Sequence, residues 1–202
     1  VTHPYFVVLA GPNGVGKTTF AHANLADFIK TGAFLNADDI ARGIRPNDVA
    51  AVAIAAARQM LRERRARLVL RRSFCIETTL ATRSLLRFVE DAKAAGYRTR
   101  LIFLFTPFPQ LNELRVKQRV MAGGHNIDTE TINRRHRSGL MMLADYWDAC
   151  DEAVLFDART ERPLEALVKE GGSTKIVDRF GWMWLRMRLD ALGARVPMVS
   201  SY

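Results

Sequence analysis

Residues 11–18 read Gly-Pro-Asn-Gly-Val-Gly-Lys-Thr, which sets Gly11, Gly16, Lys17 and Thr18 at the defining positions of a G-x-x-x-x-G-K-[ST] loop. That spacing captures anions. Backbone N–H groups of such a loop converge on a phosphate, and the helix that follows adds the partial positive charge of its N-terminus. Lys17 is expected to reach the β- and γ-phosphates of a nucleoside triphosphate, and the Thr18 hydroxyl to hold Mg²⁺. The expected nucleotide contacts are therefore Gly11, Pro12, Asn13, Gly14, Val15, Gly16, Lys17, Thr18 and Thr19.

Two acidic groups can act beside such a loop. Asp38-Asp39 follows one short apolar run and Glu77-Thr78-Thr79 follows another. A carboxylate there can accept the proton of a substrate hydroxyl while a phosphoryl group moves in line, or can hold Mg²⁺ through water. A helix N-cap is the competing role for Asp38 or Asp39. Arginines supply the remaining charge. Arg115 and Arg119 are four apart and share a helix face, and Arg134-Arg135 follows the Gly123-Gly124-His125 turn. Guanidinium groups over a transferring phosphoryl can be worth about 10³–10⁵ in rate.

The elements that must position these groups alternate through the first 157 residues. Tyr5–Ala10 is an apolar run of the kind found in buried parallel strands, and Phe20, Ala21, Asn24 and Leu25 open a helical spacing after the loop. Further strands are expected at residues 33–37, 73–77, 101–105 and 154–156. Between them the spacing predicts a helix from Asn47 or Asp48 to about Arg67, and one capped by Thr82 or Ser84 and stopped by Gly96. A third carries Leu111, Leu114, Val116, Val120 and Met121; a fourth is capped by Asp128, with Ile132, Leu140, Leu143 and Trp147 inward. The fold class is α/β: a parallel sheet of about five strands with helices on both faces. Beyond it, residues 162–177 read either as a helix by propensity or, the favoured reading, as a hairpin turning at Gly171-Gly172 with Leu164, Ala166 and Val168 on one face, and Phe180, Met183, Trp184 and Met187 read as a helix face packed on the body. One domain over residues 1–202 is expected, with a core at about 5–157 and an extension at about 158–202.

Bulk composition narrows the classes. Hydrophobic content of 49% and charged content of 25% are ordinary for a soluble globular chain, and no apolar run reaches membrane-span length. No N-terminal segment reads as a signal peptide, and two cysteines, Cys75 and Cys150, suit a reducing cytoplasm. The net charge of +9 fits an active site for anionic substrates. It also fits a nucleic-acid-stimulated ATPase, but few aromatics interleave the basic runs, which argues against a nucleic-acid surface.

The loop, Asn36-Ala-Asp-Asp39, Ile76-Glu-Thr-Thr-Leu80, Arg119 with Gly123-Gly124-His125, and Arg134-Arg135 together resemble the zeta toxin family over roughly residues 5–157. The resemblance implies a P-loop kinase fold and an ATP- and Mg²⁺-dependent kinase. The characterised members phosphorylate the 3′-hydroxyl of the amino sugar in UDP-N-acetylglucosamine, and a small epsilon antitoxin restrains them by occluding the ATP site. Carried over by position, the general base falls on Asp38, the sugar-binding acid on Glu77 with Thr78 and Thr79 beside it, and the first lid arginine on Arg119. The family's second lid arginine aligns near His125, which leaves that role to Arg134 or Arg135. An acidic residue of the family before the third strand is replaced by Leu61 or a neighbour. The expected catalytic set is Lys17, Asp38, Arg119, Arg134 and Arg135. The alternative within the class is a kinase of another metabolite or an antibiotic.

Overall fold

Strand β1 (Tyr5–Ala10) is buried along almost its whole length and lies third from one edge of a seven-stranded sheet. The computed structural model describes residues 3–124 and 126–200, so His125 of the expected glycine turn lies outside the described residues. On one side β1 pairs in parallel with β3 (Phe74–Thr78), which pairs in turn with β2 (Phe34–Leu35). On the other it pairs with β4 (Arg98–Phe105), and β4 with β5 (Glu152–Asp157). These five parallel strands are the sheet expected from the sequence. All end on the same edge, the edge where open α/β sheets bind ligands.

The expected hairpin also forms, as β6 (Leu164–Glu170) and β7 (Ser173–Ile176), but it extends the same sheet antiparallel rather than standing apart. Its expected alternation fails. The register slips between Leu155 and Phe156, which face Leu167 and Glu165, so Ala166 is the extra residue of a β-bulge. Ala166 and its neighbour Leu167 are consequently both fully buried, whereas Leu164 is 58% exposed.

Helices cover both faces, in line with the expected α/β layers. The loop after β1 leads into α1 (Lys17–Asn24), with the short α2 (Ala26–Lys30) behind it. Residues 33–37 are only partly strand. Asn36, in an extended conformation, accepts the Asp38 N–H on its side chain at 2.8 Å and starts α3 (Ala37–Ile44). Asn is among the best N-caps, and two acids in the first turn suit the helix dipole. Asp38 and Asp39 therefore lie inside a helix, not at a strand end. Helix α4 (Ala53–Val69) begins later than expected, because Asp48 instead accepts the Ala51 N–H of a preceding 3₁₀ turn.

Helix α5 (Arg83–Ala94) starts after Thr82, as expected. In α6 (Pro109–Met121) the expected apolar face is only half realised. Val116 and Asn112 are buried, but Leu114 and Met121 are exposed. Helix α7 (Thr129–Ala149) begins at Asp128, whose carboxylate accepts the Thr131 N–H at 2.7 Å, and it buries the four residues expected.

The last helix, α8 (Arg179–Leu192), corrects the sequence reading most sharply. Phe180, Met183 and Met187 face solvent and Trp184 is half-buried, while Gly181, Trp182, Leu185 and Leu189 pack inward. Both faces are apolar, so hydrophobic spacing alone cannot choose between them. The side that packs holds Gly181, where a Cβ would come within 2.9 Å of Ala166 Cβ. Close approach to β6 selects that face. Leu185 and Leu189 then each contribute about 1.5–3 kcal/mol through burial.

Candidate active site

The chain leaves β1 through a loop whose glycines are required by space as well as by φ. At Gly11 (φ +145°) a Cβ would come within 2.4 Å of the Leu104 carbonyl oxygen, and at Gly14 (φ +80°) within 2.3 Å of the Asn112 carbonyl oxygen. The loop is thus pressed between the end of β4 and the first turns of α6. Lys17, the first residue of α1, is buried, and its ammonium donates to the carbonyls of Gly11 at 2.9 Å and Pro12 at 3.0 Å.

Glu77 reaches the loop from the neighbouring strand β3. Its carboxylate stands 3.9 Å from the Lys17 ammonium and accepts the Thr18 hydroxyl at 3.2 Å. Burial pushes the Lys17 pKa down, against the pull of Glu77 and Asp38; Arg119 and Arg135 add to the lowering. Burial likewise pushes Glu77 up. Lys17 and the Thr18 hydroxyl oppose that rise, and repulsion from Asp38 and Asp39 adds to it.

A cleft of about 1010 Å³ opens over this loop. One wall is α3, which presents Asp38 and Arg42, together with its cap residue Asn36; Lys17, Thr18 and Glu77 form the floor. The far end is lined by Phe20, Asn24 and residues 160–163, the connection between β5 and β6. The sequence reading gave no role to residues 160–163. Their position just past the carboxyl end of β5 is the signal that points to them.

The expected arginines separate. Arg119 lines the cleft. Arg135 donates to the Asn13 side chain at 3.1 Å and so is fixed to the loop. Arg134 is not brought to the cleft: it is exposed and donates to Thr131 of its own helix at 3.2 Å. Consecutive residues on a helix point about 100° apart, so only one of the pair can face the loop. Arg115 reaches the cleft but acts as a strut, donating to the carbonyls of Ala158 at 2.9 Å and Arg159 at 3.1 Å.

Nor do the threonines after Glu77 line the cleft. The Thr78 hydroxyl accepts the Leu80 N–H at 3.1 Å, holding Leu80 at φ +60°, and the Thr79 carbonyl lies where Gly139 of α7 leaves room. Behind the loop, the Thr106 hydroxyl donates to Asn112 Oδ1 at 3.0 Å, and buried His136 Nε2 donates to the Thr106 carbonyl at 3.0 Å.

The residues present fit a hard cation. Thr18 and Glu77 offer adjoining oxygens, and a cation beside Glu77 would relieve the burial and repulsion that raise its pKa. Among the described residues no group of three or more His, Cys, Asp or Glu gathers to cage a metal. A hard cation of the Mg²⁺ type keeps several waters and takes phosphate oxygens as ligands, so two protein oxygens can suffice for it.

No helix among the described residues is long and apolar enough to cross a membrane. An uncharacterised protein of Haemophilus influenzae is 27% identical over 130 residues, 64% of this chain and 91% of that protein. Among solved structures, the AvrRxo1-ORF1:-ORF2 complex with ATP superposes with a TM-score of 0.73 at 14% identity; the match covers 99% of this chain and 66% of that one. A structure of the PezAT chromosomal toxin–antitoxin system of Streptococcus pneumoniae superposes with a TM-score of 0.62 at 16% identity, covering 96% and 89%. At such identities the likeness concerns the fold alone, and that fold is the α/β phosphate-loop architecture with a mostly parallel sheet that the sequence implied. The AAA domain profile matches residues 6–139, more than half of the chain, and the chain belongs to that family.

Proposed function

We propose that this chain is an ATP- and Mg²⁺-dependent phosphotransferase of zeta toxin type, acting on a hydroxyl of a small-molecule acceptor. The observation that carries the reading is the pairing of a closed phosphate loop with a carboxylate, Asp38, presented into the same cleft from a different element. Loop N–H groups and Lys17 hold the triphosphate. Asp38 accepts the acceptor hydroxyl's proton as that oxygen bonds to the γ-phosphorus. The bond from the γ-phosphorus to the β,γ-bridging oxygen breaks, and ADP leaves. Arg119, with Arg135 fixed on Asn13, spreads positive charge over the transferring group.

Thr18 and Glu77 would hold Mg²⁺, which neutralises charge on the β- and γ-oxygens. The hydroxyl bond to Thr18 supports that role for Glu77, in place of the sugar-binding role implied by the family resemblance. Residues 160–163 and Phe20 would receive the base. Because β6 extends the core sheet and residues 160–163 line the cleft, residues 1–202 would work as one unit.

The acceptor we favour is UDP-N-acetylglucosamine, and the setting a cytoplasmic toxin restrained by an epsilon-type antitoxin protein. Two of the similar structures belong to paired systems, PezAT and AvrRxo1-ORF1:-ORF2. The test is incubation with Mg-ATP and UDP-N-acetylglucosamine, followed by mass spectrometry for a product heavier by about 80 Da, one HPO₃. That product supports the whole reading. Phosphate found instead on another metabolite keeps the kinase and replaces the acceptor. ATP hydrolysis that responds to nucleic acid and yields no phosphorylated product contradicts it.

A further inference from the structure

We infer that the outer face of α4 docks an amphipathic helix of another protein, one that alternates carboxylates with aliphatic side chains. Helix α4 is held to the body along one side only. Ala56 is its one buried residue, and Met60 and Leu68 pack against the core. The Arg64 guanidinium lies 4.4 Å over the Phe88 ring, and Arg67 donates to the Gly32 carbonyl. The single carboxylate of the helix, Glu63, accepts from Gln59 at 2.9 Å.

The opposite side has no cover. At about 100° per residue, Ile54, Arg58, Leu61, Arg62, Arg65 and Val69 fall within one sector roughly 100° wide. All six are exposed, Ile54 at 71% and Val69 at 82%. The sector runs for about 22 Å, or about four turns. Of the five arginines of this helix, Arg64 and Arg67 fasten it to the body, and the other three sit on the outer sector. Among the described residues no carboxylate is ion-paired with Arg58, Arg62 or Arg65.

The mixture of side chains selects the occupant. Ile54, Arg58, Leu61 and Arg65 follow one another at i, i+4, i+7 and i+11, the spacing of a coiled-coil seam in which every second layer is cationic. A second copy of the chain would set arginine against arginine, which opposes self-association. A nucleic-acid backbone would satisfy the arginines and leave Ile54 and Leu61 without an apolar contact. A membrane-surface helix keeps its basic and apolar residues on different faces, whereas here they share one. A protein helix with carboxylates opposite Arg58, Arg62 and Arg65 and aliphatics opposite Ile54 and Leu61 meets both demands. The apolar contacts would also exclude water from the ion pairs and strengthen them. Helix α4 does not line the cleft, so this surface stands apart from the kinase reading.

The test uses the full chain and a fluorescent helical peptide of about three heptads, with leucine at its d positions and glutamate at a, e and g. Fluorescence anisotropy is expected to give a Kd in the micromolar range. The same peptide with lysine for glutamate, and poly-glutamate of equal length, should not bind. Arg58→Glu/Arg62→Glu/Arg65→Glu should weaken the acidic peptide about 100-fold or more and create binding of the lysine peptide, since reversing both sides restores the pairing. Leu61→Ser, which removes an apolar contact and keeps every charge, should weaken it about 10-fold. All four positions are exposed, so the variants should fold, which their thermal midpoints verify. No binding of the acidic peptide, or binding indifferent to Leu61→Ser, would overturn the proposal. Duplex RNA or anionic vesicles bound through the same arginines without need of Leu61 would replace it with a polyanion surface. A dimer in sedimentation that Leu61→Ser dissolves would replace the partner with a second copy.

Discussion

The two walls of the cleft are built on opposite plans. The phosphate loop is defined by backbone: glycines pressed within van der Waals distance of Leu104 and Asn112 carbonyls, and a lysine buried against the loop's own oxygens. The α3 wall is defined by side chains, with Asp38 and Arg42 exposed on a short helix that packs against α4. On the proposed function, one wall would hold a triphosphate, a ligand shared by many enzymes, and needs a fixed form. The other would face the acceptor, through side chains rather than backbone.

Substitutions can break this contrast. The largest expected effect is at Lys17. Lys17→Ala should lower phosphoryl transfer by about 10²–10³-fold, as loss of a preorganised charge does, and weaken ATP binding with it. Rapid quench and nucleotide titration read both; a variant that transfers normally would deny the loop its role.

Next come two glycines, one from each wall. Gly14→Ala forces a Cβ against the Asn112 carbonyl at positive φ, which should cost about 1–3 kcal/mol and lower the thermal midpoint by several degrees. Gly43→Ala, in α3 with open space around its Cβ, should instead be neutral or stabilising by up to about 1 kcal/mol. Equal effects at the two sites would erase the distinction between the walls.

A smaller effect concerns pH. Burial holds the His136 pKa below its ordinary 6.5, with Arg188 contributing, despite the bond to Thr106. The unfolded chain therefore binds a proton that the folded chain resists. Stability should be full above about pH 6.5 and fall as pH drops through that value toward the lower folded pKa. In His136→Gln, thermal midpoints measured across that range should depend less on pH. An unchanged slope would show that other groups set it.

The same contrast explains what was legible in the sequence. The loop was, because its geometry admits few residue types, and so were the five parallel strands and the Asp128 cap. Helix α3 was not. Asn36 ends the strand early by accepting the Asp38 N–H, a side-chain decision within three residues of an apolar run. Helix α8 was seen as a helix but turned the wrong way, since both faces are apolar and only the fit of Gly181 against Ala166 decides between them. The bulge at Ala166 hid the true inward face of β6 for a similar reason, as alternation assumes an unbroken register. Arg134 and Arg135 were interchangeable on paper; helix phase, with Asn13 as partner, separates them.

The most direct test of the two-wall account is Asp38→Asn, with ATP affinity and single-turnover transfer measured on the same preparation. The account predicts an ATP Kd within about 2-fold of the parent chain and transfer slowed by about 10²–10⁴-fold, the usual cost of losing a general base. Normal transfer, or an ATP affinity that collapses together with the rate, would contradict it.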